Sequence, residues 1–248
     1  MKVISVAGFS GSGKTTFIRD LVPRLREYGP IGTIKHTGHH NMEVPKGKDT
    51  TLMFEAGSDA VVGIDSGKLL VTLRSTSLVE ALNLLADRGM AIAVIEGFKQ
   101  SPLPKIVIGD HNLENCILRN PKIDDVIPLL DRFPEYVSLG ALVHEMRGMP
   151  EKGLKPECMV TCAIPLEFHG NLPESRARPV LQEIEKEMQE RPEIGRVRLA
   201  IQNGTPFGGR DELLIVIVAK SGKTGSSALR GSITRCGTDL AKIGITIR

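Results

Sequence analysis

The sequence predicts an α/β chain in which a mostly parallel sheet flanked by helices is followed by a small α+β unit at the C-terminus. Three observations carry the prediction. Short β-branched runs alternate with stretches of helical periodicity in the first half of the chain. Residues 90–95 are apolar without alternation, the pattern of a strand covered on both faces in a parallel sheet. Residues 146–156 are rich in glycine, proline and charge, the texture of a linker between two units.

Taken in order, residues 3–7 form a strand, because their β-branched side chains suit a pleated, buried surface, and the strand stops at Gly8. Residues 15–28 follow as a helix with Phe17, Leu21 and Leu25 on one face. A second strand lies at 31–34, and 60–64 with 68–73 reads as two strands around the turn Asp65-Ser66-Gly67. Residues 77–88 are helical, and the buried strand at 90–95 ends at Glu96-Gly97. Beyond the linker, 158–166, 197–202 and 213–219 are strand-like, 177–189 is an amphipathic helix, and 226–243 is helical despite its glycines. The expected units are residues 1–145 and 151–248, the second long enough to fold alone.

Composition narrows the function classes. Lysine plus arginine (32) nearly balances aspartate plus glutamate (29), so no nucleic-acid groove or membrane-binding face is expected, and phosphate recognition should be local. The absence of tryptophan and the two tyrosines also speak against stacking platforms for single strands. Cys116, Cys158, Cys162 and Cys236 are too scattered for a zinc framework and read as reduced thiols. The apolar start is too short for a signal peptide and no run approaches membrane-spanning length, which places the protein in the cytoplasm.

Gly8-Phe9-Ser10-Gly11-Ser12-Gly13-Lys14-Thr15 matches the phosphate-binding loop G-x-x-x-x-G-K-[ST] at every defined position, between a strand and a helix where such a loop must sit. Its glycines allow the backbone to wrap phosphate oxygens, and the following helix adds its positive N-terminal end. Gly8, Ser10, Gly11, Ser12, Gly13, Lys14, Thr15 and Thr16 are the expected nucleotide contacts, with Lys14 on the β- and γ-phosphates and the Thr15 hydroxyl on magnesium. By contrast, Ser221-Gly222-Lys223-Thr224 lacks the upstream glycine and reads as a loop.

Such a site needs an acid at the end of a core strand to hold the magnesium shell or orient water, and Glu96 stands there. Lys14 and Glu96 are therefore the candidate catalytic groups, and Thr15, Glu96 and Asp49 the candidate metal ligands. After the second strand, Lys35-His36-Thr37-Gly38-His39-His40 adds cations and imidazoles, with Lys35 and His36 as further nucleotide contacts. The three histidines suit a metal, a phosphate or a substrate oxyanion alike.

These motifs, with Gly47-Lys48-Asp49-Thr50, Ile95-Glu96-Gly97-Phe98-Lys99 and Pro104-Lys105-Ile106, resemble the molybdopterin-guanine dinucleotide biosynthesis protein B (MobB) family over residues 1 to about 140. The resemblance implies GTP with magnesium as ligands, weak GTP hydrolysis, a homodimer, and assistance to the enzyme that attaches GMP to molybdopterin, with that enzyme and molybdopterin itself as partners. Guanine is implied by the resemblance alone, since no N-K-x-D signature occurs, and Asn41-Met42-Glu43-Val44-Pro45 stands where the family has an aspartate-rich stretch. The C-terminal unit is similar to the large subunit of molybdopterin synthase through its element order and the stretch 203–209, but it lacks that family's His-Arg and Trp-Lys elements. It is expected to be inactive in sulfur transfer, keeping Lys242 and a basic face of Arg196, Arg198, Arg210, Arg230 and Arg235. Two other readings stay open: a P-loop small-molecule kinase, which would show an arginine-bearing lid, and a scaffold using nucleotide as a structural ligand.

Overall fold

The computed structural model describes residues 1–38, 47–148, 158–168 and 174–248. The first part of the chain runs β1 (Lys2–Ala7), α1 (Lys14–Leu25), β2 (Ile31–Lys35), α2 (Asp49–Glu55), β3 (Ala60–Ile64), β4 (Leu69–Leu73), α3 (Leu78–Asp87), β5 (Ile92–Glu96), β6 (Lys105–Val107), β7 (Cys116–Arg119), α4 (Ile123–Val126) and α5 (Leu139–Gly148). Five strands form one parallel sheet in the order β2-β5-β1-β6-β7, as the fold-class prediction requires.

Period-2 alternation explains why the central strands are apolar throughout. Ile4 and Val6 of β1 with Ile92 and Val94 of β5 pack on Ile18, Leu21 and Leu25 of α1, while Val3, Ala93 and Ile95 pack on Leu78, Leu82 and Ala86 of α3. α3 starts where it does because the Ser77 side chain accepts the Glu80 N–H at 3.3 Å. β3 and β4 pair antiparallel with each other and form a separate two-stranded sheet.

The rest of the chain contributes β8 (Cys158–Phe168), α6 (Glu174–Gln189), β9 (Ile194–Gln202), a 3-10 turn Thr205–Phe207, β10 (Glu212–Ala219), α7 (Gly222–Ala241) and β11 (Ile245–Ile247). These strands make an antiparallel sheet in the order β11-β8-β10-β9. One face, with Leu213, Ile215 and Ile217, is covered by α6 and α7 through Leu181, Ile184, Ala228 and Leu240. The other, with Leu214, Val216 and Val218, is covered by Leu142 and Met146 of α5.

Two expectations change here. The stretch from Ser221 to Thr224 is not a loop: the Ser221 hydroxyl accepts the Thr224 N–H at 3.2 Å, so Gly222, Lys223 and Thr224 begin α7. Residues 146–148, expected to open the linker, belong instead to α5, which runs to Gly148 and buries Met146 against β10. Residues 149–157 lie outside the described part.

A buried polar cluster joins the two sheets. The Tyr136 hydroxyl donates to Asn83 Oδ1 at 2.8 Å, and Gln202 Nε2 donates to Tyr136 Oη at 2.5 Å and to Asn83 Oδ1 at 3.0 Å. Beside it, Phe207 stands edge-on to the Tyr136 ring, 5.3 Å between centroids. Burial pushes the Tyr136 phenol up to about 12. A polar group left unpaired there would cost its full desolvation, so the cluster sets one docking register between the sheets.

Candidate phosphate-binding site

The register of the parallel sheet assembles the site. Glu96, the last residue of β5, lies opposite Val6 of β1 on one side and Lys35 of β2 on the other, so the loop after β1, Lys35 and Glu96 reach the same rim. Backbone bonds extend the strands slightly: His36 N–H donates to the Glu96 carbonyl at 2.8 Å, and Gly97 N–H to the Val6 carbonyl at 3.0 Å.

Gly8 turns the chain out of β1 with φ of 154°, and a Cβ there would lie 2.7 Å from Ser12 Oγ, so only glycine fits. α1 then starts at Lys14, with Phe17 N–H donating to the Gly13 carbonyl at 2.9 Å. Lys14 Nζ donates to the Phe9 carbonyl at 2.5 Å, folding the side chain over the loop. The Thr15 hydroxyl meets both Glu96 carboxylate oxygens, at 3.2 and 3.1 Å, and Lys35 Nζ is 3.8 Å from Glu96.

These groups line a cleft of about 1430 Å³. Gly8, Ser10, Gly11, Gly13, Lys14, Thr15, Thr16, Lys35, His36 and Glu96 all line it. Two expected residues do not. Ser12 faces inward, its Oγ buried and without a partner among the described residues, and Asp49 opens α2 outside the lining. His39 and His40 lie outside the described residues.

The cleft is electropositive around one acid. Burial lowers the Lys14 ammonium below the usual lysine range; Glu96 acts against this, while Lys99 and Lys35 add to it. Lys99 Nζ sits 4.1 Å over the Phe9 ring, which also packs against His111 at 3.9 Å. Three lysines around a glycine-rich turn suit a polyanion. The donor set of Thr15 and Glu96, both hard oxygens, fits magnesium, which takes few protein ligands and keeps waters and phosphate oxygens for the rest. No cluster of three or more acids, histidines or cysteines occurs among the described residues, so the site offers no all-protein cage.

Residues 3–129 match the protein-family model described as molybdopterin guanine dinucleotide synthesis protein B. The chain belongs to the MobB family. It is 36% identical over 131 residues to a molybdopterin-guanine dinucleotide biosynthesis adapter protein of Haemophilus influenzae, covering 50% of this chain and 71% of that one. A probable adapter protein of Bacillus subtilis is 36% identical over 110 residues, 43% of this chain and 64% of its own. The crystal structure of Bacillus subtilis MobB aligns with a TM-score of 0.41 at 30% identity, over 49% of this chain and 82% of that one.

In this MobB chain, the placement of several residues around the cleft lay beyond motif reading. Phe98 takes a left-handed φ of 47°, unusual for an aromatic residue, and stacks on His36 at 4.2 Å with 22° between the rings. Lys105, which the sequence shows only as a cation near Glu96, is fully buried; its Nζ donates to the carbonyls of Ser101 at 2.7 Å and Lys99 at 3.2 Å. It holds the loop after β5 from behind and does not line the cleft. The turn 205–208 comes from the other sheet and completes one wall. Its glycines were visible in sequence; its destination was not.

Proposed function

We propose that this chain binds GTP with magnesium in the P-loop cleft and acts in molybdenum cofactor biosynthesis as an adapter to the enzyme that attaches GMP to molybdopterin. The observation that carries the reading is the Thr15–Glu96 contact at the mouth of a complete P-loop in a MobB-family chain. Lys14 would place its ammonium on the β- and γ-phosphates, Thr15 and Glu96 would hold magnesium, which offsets phosphate charge, and Glu96 could orient the attacking water for slow hydrolysis. The adapter names of the relatives support the pathway, and molybdopterin itself is the second small-molecule partner. We place it in the cytoplasm; no helix among the described residues is long and apolar enough to cross a membrane.

The cations lining the cleft among the described residues are lysines, which gives the kinase reading no arginine lid to stand on. Tight GTP binding without turnover would favour the scaffold reading. The test is thermal unfolding with GTP, ATP and GDP across a magnesium titration. GTP at about 100 times its dissociation constant should stabilise the chain by roughly 2.7 kcal/mol. Glu96→Gln should keep nucleotide binding, flatten the magnesium dependence and slow hydrolysis. An unchanged titration with unchanged turnover would remove Glu96 from the site.

We read the second sheet as a docking module without sulfur-transfer activity. Three cations of the expected basic face are paired with acids, Lys242 with Asp239 at 2.6 Å, Arg198 with Glu145 and Glu185, and Arg235 with the same Asp239, while Arg196 donates to the Met146 carbonyl. The chain forms a homodimer through the β3–β4 hairpin, whose Val62 (53% exposed), Ile64 (78%) and Leu70 (53%) offer an apolar surface beside strand edges that pair with no further strand among the described residues. Light scattering should give twice the chain mass, and the cross-strand double variant Val62→Lys, Val71→Lys should give the monomer. A parent that runs at the single-chain mass would sink the dimer.

A further inference from the structure

Lys99 lines the P-loop cleft, and among the described residues no carboxylate lies within ion-pair distance of it. Its Nζ rests 4.1 Å over the ring of Phe9, a P-loop residue that is 49% exposed. Lys35, by contrast, has Glu96 at 3.8 Å. We propose that Lys99 is a further phosphate ligand, which exchanges the Phe9 ring for the phosphate chain when a nucleotide binds. The inference rests on the nucleotide reading above and adds to it a residue and a motion.

Three observations place this lysine at the phosphate site. Phe9 belongs to the P-loop and its carbonyl accepts from Lys14 Nζ at 2.5 Å, so one residue holds Lys14 through its backbone and Lys99 through its ring. Lys99 stands three residues beyond Glu96, whose carboxylate meets the Thr15 hydroxyl. The Lys14 ammonium, lowered first by burial, is lowered further by the like charge of Lys99, and by Lys99 more than by Lys35.

The backbone fixes where the side chain starts. Gly97 N–H donates to the Val6 carbonyl at 3.0 Å, and Ser101 N–H to the Phe98 carbonyl at 3.0 Å. Phe98 stacks on His36, and the buried Lys105 Nζ donates to the Lys99 carbonyl at 3.2 Å and the Ser101 carbonyl at 2.7 Å. The loop after β5 is therefore pinned on both sides of Lys99, while the four-carbon stem leaves the ammonium free to swing. A cation over an exposed ring face is a weak pairing. An ammonium on a phosphate oxygen makes a charge-assisted hydrogen bond, one of the strong ones. Ring and phosphate compete for one ammonium, so the contact with Phe9 opposes nucleotide binding and the contact with phosphate drives it.

The opposite signs give the test, calorimetry with magnesium and a non-hydrolysable GTP analogue. Lys99→Ala should weaken the analogue by about tenfold or more. Lys99→Met, which keeps the length of the stem and removes the charge, should do the same, and Lys99→Arg should stay within about threefold of the parent. Phe9→Leu removes the competing ring and should tighten the analogue by about twofold or more. In the Phe9→Leu background, Lys99→Ala should still cost about tenfold or more. Unchanged affinity in both Lys99→Ala and Lys99→Met, or a loss in Phe9→Leu that Lys99→Ala does not deepen, would make the pair a structural latch and overturn the proposal. A parent that binds the analogue leaves the P-loop reading standing in that case; a parent that binds neither the analogue nor GDP overturns both.

Discussion

Lys14→Ala is expected to weaken GTP binding by about a hundredfold or more while the melting temperature of the free chain stays close to the parent value. The side chain lies over its own loop, bonded to the Phe9 carbonyl, and the packed clusters around β1 are built from Ile4, Val6, Ile18 and Leu21 without it. On phosphate it would supply two charge-assisted hydrogen bonds, each worth about 1.5–3 kcal/mol, so their loss costs roughly 3 kcal/mol or more, about a hundredfold in affinity. The lowered proton affinity of this lysine, caused by burial and then by Lys99 and Lys35, would rise again against a polyanion. Calorimetry in the presence of magnesium is the measurement. Equal affinity in variant and parent would end the P-loop assignment.

The second large effect concerns where the C-terminal unit begins. A fragment of residues 139–248 is expected to unfold cooperatively, while 151–248, the unit drawn from linker composition, is expected to aggregate or melt far lower. α5 covers the outer face of β10: Leu142 and Met146, 2% and 3% exposed, lie over Leu214, Val216 and Val218. Arg198 pairs with Glu145 at 3.2 Å and Arg196 donates to the Met146 carbonyl at 3.0 Å, tying helix to sheet. Each fully buried aliphatic side chain contributes about 1.5–3 kcal/mol, so stripping this face removes roughly 5 kcal/mol or more, comparable to the whole stability of a small unit. Circular dichroism melts of the two fragments decide it. Matching midpoints would show that the helix is dispensable and that the unit begins beyond it.

The contrast between Glu96 and Lys105 shows how far motif reading reaches. Both stand among strand residues near the P-loop, and both were legible as charged positions. Glu96 ends β5, where the register with Val6 and Lys35 delivers it to the rim, so its place at the cleft followed from strand length alone. Lys105 begins β6, and its side chain turns inward to loop carbonyls. The direction of a side chain at a strand start depends on which loop covers it, and no local pattern carries that. Ser221 is a smaller case: a capping serine and a loop serine look alike until the Thr224 N–H is seen to bond to it. The exposed hairpin residues Val62 and Leu70 were legible as strand, but not as exposed, because alternation does not say whether a partner sheet is present.

By itself the sequence determined the β1–P-loop–α1 unit, the parallel central strand ending at Glu96, and the presence of a second α+β part, because each rests on local steric and periodic rules that act within about ten residues. Tertiary structure decided what those rules cannot reach: that α5 packs on the second sheet, that Tyr136, Asn83 and Gln202 close into one buried network, and that the turn at Thr205–Phe207 walls the P-loop cleft. Those contacts join residues separated by 53 to 119 positions in the polar network. They are selected by burial of apolar surface and by the cost of leaving polar groups unpaired, which belong to the whole molecule and to no segment of it.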